Sequence, residues 1–278
     1  MLCLSPSGRP GRGAPGIASG TPAAGARRAF GAVCALLFLA SAAATVAICR
    51  AMAGMGEVPM AGGWSMSTAW TPLCGGSWPA AAGAFLGMWS AMTLAMMLPS
   101  LAPALWRLRE SAAGAGAVRP DLSAALAGLG YLTAWGACGL LVFSAGALLL
   151  DGAMRWPLLA RAVPAAAGLV VIVAGLFQMS RRKRALLGHC RRSARHGAGV
   201  AAAIGQGLRL GGACCASCAG PTVLLLVGGV MDLRGMAIVA AAITAERLAP
   251  AGERIAGATG GLMLGAGMVQ LAQALWRL

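Results

Sequence analysis

"FGAVCALLFLASAAATVAIC", residues 30–49, is twenty residues without a charge, with Arg27 and Arg28 before it and Arg50 after it. As a helix rising 1.5 Å per residue it would extend about 30 Å, the thickness of a bilayer's hydrocarbon core. Lipid offers the backbone no hydrogen-bond partners, so only helices and closed barrels cross it, and apolar runs of this length mean helices. A cleavable signal is the rival reading of this first run, because small residues such as Ala44 and Ala47 follow the apolar stretch. Its leading region would be unusually long.

The rest of the chain has the same character. Of 278 residues 59% are hydrophobic and 10% charged, and the mean hydropathy is +0.77. A soluble domain carries roughly a quarter charged residues. The expected fold class is therefore all-α, a polytopic transmembrane helix bundle. A net charge of +15, from 22 Lys and Arg against 7 Asp and Glu, would point to nucleic acid in a soluble protein. Here it reads as topology, because cytoplasmic loops collect positive charge, and no nucleic-acid partner is expected.

Residues 1–26 are rich in Gly, Pro, Ala and Arg without a helical period, which reads as a disordered cytoplasmic tail before a single transmembrane domain over 27–278. Further apolar stretches lie at about 80–105, 122–150, 162–179, 210–231, 235–249 and 255–276. Counting all of them gives seven helices, and six if 235–249 is re-entrant. Residues 50–79, with four Met, three Trp and few charges, read as an outer loop. The loop "SRRKRALLGHCRRSARH" (180–196) holds seven Lys and Arg and no acid. It marks the cytoplasmic side, with the amino terminus on that side, and its bland reading is contact with anionic lipid heads over 181–195. Gly257, Gly261 and Gly265 recur every four residues, a face for close helix packing.

Chemistry concentrates in three places. "RLGGACCASCAG" (209–220) brings Cys214, Cys215 and Cys218 within an arc of about 100° on a helix, near the cytoplasmic end of the fifth span. Thiolates are soft ligands for Cu(I) and Zn(II). Metal binding, a reversible redox pair of Cys215 and Cys218, and plain packing all remain open. "MWSAMTLAMMLPS" (88–100) sets Met88, Met92 and Met96 on one stripe with Met97 off it, and Pro99 there frees the carbonyl of Ala95. Methionine is common core filler. Yet Met96 and Met97 fall in the inner half of a span that runs inward, on the side given to the cysteines, so a common site is geometrically open. His189 and Cys190 in the basic loop are also metal-capable, their thiol made reactive by surrounding cations, and His196 is a weaker candidate. Glu246 and Arg247 end the sixth stretch, where an intramembrane charge suggests function and snorkelling explains it as well. There is no P-loop, HExxH or catalytic triad spacing, so an enzyme is not expected.

"MWSAMTLAMMLPS", "KRALLGHCR", the Cys cluster followed by "GGVMDLRGMA", and "ERLAPAGERIAG" follow in this order. Together they resemble a bacterial family of predicted metal-binding integral membrane proteins, catalogued as a domain of unknown function, over about 85–270. The resemblance implies an inner-membrane helical protein with Met, Cys and His ligands. Matching positions are Trp89, Met92, Met96, Met97, Pro99 and Ser100, then Lys183, His189 and Cys190, then Cys214, Ser217 and Cys218. The chain departs from the family with Leu186 where a further Cys is frequent, Ser217 at the first Cys of a pair, and Ala219 at a Trp. Cys215 is an extra thiol. The function expected from residues and resemblance together is soft-metal handling, with Cu(I) favoured and Zn(II) next. Its ligands would be Cys214, Cys215, Cys218, Met92, Met96 and Met97, with His189 and Cys190 as a point of arrival or departure.

Overall fold

Nearly every described residue is helical in the computed structural model, which describes residues 21–53, 57–67, 70, 72, 76–115, 119–192, 199–230 and 232–276. The side chains of 21–23, 53, 57, 58, 66 and 189–192 lie outside that description. The order is α1 (Thr21–Ala53), β1 (Glu57–Met60), β2 (Trp64–Ser67), α2 (Trp78–Gly114), α3 (Pro120–Arg155), α4 (Pro157–Met179), α5 (Arg181–Arg192), α6 (Val200–Gly228), α7 (Leu233–Leu248) and α8 (Gly252–Trp276). Helices α1, α2, α3, α4, α6 and α8 are long and apolar enough to cross a membrane. Their outward side chains include Leu141, Leu158 and Leu262 at 73%, 80% and 77% exposure, a surface that lipid covers without cost and water does not. This fits a multi-pass membrane protein.

The short α7 joins two opposite ends of the bundle. It starts beside the carboxyl end of α6, where Asp232 caps it by accepting from the amides of Arg234 and Gly235. It finishes where Glu246 meets α4 and α5. Helix α8 then runs back antiparallel to α4, with Gly168 against Gly267 and Gly175 against Gly260. Among the described residues α7 is thus the short link between the two ends, with only 16 residues, about 24 Å of rise, beside the six helices long enough to span. We call the two ends the hairpin face, which carries β1 and β2, and the basic face, which carries α5.

Several expectations change. The amino-terminal segment read as disordered through residue 26 is helical from Thr21; residues 1–20 lie outside the described ones. The outer loop contains an antiparallel hairpin, with Glu57 opposite Ser67 and Met60 opposite Trp64. Its turn uses Gly62 and Gly63 at positive φ. The basic loop is the helix α5, and of its cations Lys183 is 1% exposed while Arg181, Arg182 and Arg184 face outward. In α8 the stripe of Gly257, Gly261 and Gly265 meets open space, whereas Gly260 and Gly267 take the close contact with α4. A seven-residue spacing stays on one face of a helix better than repeated steps of four, which drift by about 40° each.

Two helix prolines are answered from outside their helices. Pro164 of α4 has no amide for the carbonyl of Ala160, and the Trp64 indole of the hairpin donates to that oxygen at 2.8 Å. Pro221 of α6 likewise releases the carbonyl of Ser217, and the Lys183 ammonium of α5 donates to it. The core runs between these two points through α2, α3, α6 and α7. At the hairpin face a cavity of about 1020 Å³ is walled by Trp64, Trp70, Val142, Leu149, Leu226 and Gln270, among others. At the basic face a cleft of about 70 Å³ lies among Ser100, Arg107 and Arg247.

Candidate metal centre

Helices α3 and α6 run parallel and nearly touch backbones. A Cβ on Gly207 would stand 2.0 Å from the carbonyl oxygen of Ala127, and one on Gly211 would stand 2.8 Å from that of Tyr131. One turn beyond, the Tyr131 hydroxyl and the Cys214 thiol share a hydrogen bond of 2.9 Å. Helix α6 starts at Val200, ten residues before its apolar run, so Cys214 sits at the middle of the helix. The helix also passes through Gly211 and Gly212 without unwinding.

Three sulfurs meet there. Cys214 Sγ lies 3.9 Å from Cys218 Sγ, one turn away on the same face, and 3.9 Å from Met97 Sδ of α2. All three residues are at most 2% exposed. Met97, the methionine off the stripe, is the one that touches a thiol. Met92 and Met96 are buried in the same core, and the sulfur contacts among the described residues do not include them. Cys215 turns about 100° away, towards the thiol of Cys138 on α3. Cys215 and Cys218 therefore have different partners. The side chains of His189 and Cys190, and all of His196, lie outside the described residues.

Around the sulfurs is a polar frame. The Trp135 indole N–H is buried without a hydrogen-bond partner and lies beside Cys214. With the Tyr131 hydroxyl it makes two donors for a thiolate. Ser217 donates to the carbonyl of Cys214 at 3.0 Å and accepts from Arg247 at 3.0 Å. Lys183 and Glu246 form a fully buried ion pair at 2.8 Å, and Gln178 donates to the same carboxylate at 2.5 Å. Glu246 is thus held in the interior by a partner and does not snorkel.

The donor set can be weighed against the metals it suggests. A trigonal centre with metal–thiolate bonds of about 2.3 Å spaces its sulfurs about 4.0 Å apart, and the two contacts above are 3.9 Å. Among the described residues no three His, Cys, Asp or Glu gather into a site of the kind that holds structural zinc with four ligands. Two thiols and a thioether suit Cu(I). Tyr131, Trp135 and Cys138 escaped the sequence reading, although their spacing of four and three residues puts them on one helical stripe.

The family model PpoB2, described as a copper chaperone, matches residues 86–270, the larger part of the chain. No curated protein and no solved structure matches it.

Proposed function

Because the chain belongs to the PpoB2 family, described as copper chaperones, we propose that it is a multi-pass inner-membrane protein that holds Cu(I) as cargo on Cys214, Cys218 and Met97. The observation that carries this reading is the meeting of these three sulfurs, from α2 and α6, in a fully buried core. The thiolates and thioether bind the ion, while Tyr131 and Trp135 donate to sulfur and set its basicity. Met92 and Met96 extend the soft lining along α2, and His189–Cys190 offers an exchange point at the basic face. That face is cytoplasmic, as is the amino terminus, because Arg181, Arg182 and Arg184 point outward there, towards anionic lipid heads.

The test is Cu(I) and Zn(II) binding to detergent-purified protein, in competition with a chromophoric chelator. The double variant Cys214→Ser/Cys218→Ser is expected to lose one Cu(I) equivalent, and Zn(II) is expected to be surrendered by all forms. Undiminished Cu(I) in the double variant would remove the site. Two milder changes probe its parts. Met97→Leu nearly conserves volume, so stability should shift by less than about 1.5 kcal/mol while Cu(I) affinity falls. Tyr131→Phe keeps the ring and deletes the donor to Cys214, and should weaken Cu(I) about 10-fold, the lower end for an outer-sphere partner. An unchanged competition curve for Tyr131→Phe would show that the hydroxyl does not serve the thiolate.

A further inference from the structure

We propose that Cys138 and Cys215 form a second, two-thiol Cu(I) site, beside the buried sulfurs and on the two helical stripes that lead to the hairpin-face cavity. The proposal rests on the reading of Cu(I) as the cargo. Its first support is the register of α3 and α6. Gly207 packs on Ala127, and Gly211 on Tyr131 and Ala134. One further turn along the two parallel helices, four residues on from Gly211 and Ala134, brings Cys215 level with Cys138, and the two thiols interact.

The second support is exposure. Cys214 and Cys218 are sealed in the core, whereas Cys138 and Cys215 are both half-buried. An ion on this pair would stand at the edge of the α3–α6 seam, where the first site is sealed within the core. The third is direction. Val142, Ala145 and Leu149 of the cavity wall follow Cys138 on one helical stripe, at four, seven and eleven residues. Leu226, also in that wall, follows Cys215 by eleven residues and three turns of α6. The pair therefore stands on the two stripes that lead from the core to the cavity.

Two thiolates in line form a complete shell for a d¹⁰ Cu(I) ion. They are an incomplete one for Zn(II), which takes four ligands. Among the described residues no third His, Cys, Asp or Glu completes a cluster there. The cargo class is thus the same soft monovalent ion as at the first site, with one ligand fewer.

The test loads the full-length protein in detergent with Cu(I) under anaerobic conditions and counts the metal retained against a chelator. Wild type should hold about two equivalents, Cys138→Ser/Cys215→Ser one, and Cys214→Ser/Cys218→Ser one. Full retention in Cys138→Ser/Cys215→Ser overturns this inference and leaves the first site standing. Full retention in Cys214→Ser/Cys218→Ser overturns the first site, and loss from the other pair then still supports this one. A second measurement needs no variant. Cu(I) loading of wild type should protect Cys138 and Cys215 from N-ethylmaleimide, read by peptide mass spectrometry, and equal labelling with and without copper overturns the proposal.

Discussion

Replacing Lys183 with methionine is expected to destabilise the protein by about 3–5 kcal/mol, the usual cost of removing one partner of a buried ion pair. The substitution leaves the Glu246 carboxylate, 1% exposed, without the ammonium 2.8 Å away. It also strips the donor from the carbonyl of Ser217, which Pro221 had already deprived of its helical amide. These two losses can be separated. Pro221→Ala restores an amide four residues after Ser217, so in the Lys183→Met background it should recover about 1 kcal/mol, the net worth of an ordinary hydrogen bond. In the wild-type background the gain should be smaller, because Lys183 already donates to that oxygen. The measurement is a double-variant cycle of thermal unfolding in detergent. Zero coupling between the two positions would mean that Lys183 does not serve the proline-released carbonyl.

Gly207→Val should do comparable damage by another route. Its Cβ would fall 2.0 Å from the oxygen and 2.7 Å from the carbon of the Ala127 carbonyl, and a helix backbone cannot turn aside as a side chain can. Helices α3 and α6 must separate, at a cost at or above the 1–3 kcal/mol of ordinary overpacking. The gap opens within two turns of Cys214, so the hydrogen bond from Tyr131 and the retained Cu(I) should be lost together. Gly212→Ala is the control. A Cβ there meets nothing within 4 Å, and alanine's better helix propensity should make it neutral or stabilising by up to about 1 kcal/mol. A Gly207→Val protein with wild-type stability and copper content would refute the close approach of the two helices.

The long helices were legible because each carries an apolar run that lipid demands, and length alone marks it. Their starts were less legible. Gln206 and Arg209 interrupt the hydropathy of α6 without interrupting its helix, which begins ten residues before the apolar run and so holds the thiols at its middle. The sequence also showed that Cys214 and Cys218 share a face, since that follows from a spacing of four. It could not show that Met97 rather than Met96 meets them, because the choice depends on which side of α2 faces α6. Cys138, alone in its segment, gained meaning only from the register of α3 against α6. Lys183 stood among arginines of the same charge, singled out by the family resemblance and not by composition. The hint lay elsewhere, in Pro221, whose presence inside a helix implies a stranded oxygen and hence a donor brought from another element.

The brevity of α7 has a consequence for the solvent. In a bilayer with an ordinary hydrocarbon thickness of about 30 Å, a helix of about 24 Å leaves a mismatch that lipid meets by thinning. Such thinning would bring headgroups and water to its carboxyl end, where Arg247 lines the basic-face cleft and bonds to Ser217, the neighbour of Cys218. A dimple there would thin the dielectric barrier between the aqueous phase and the three sulfurs.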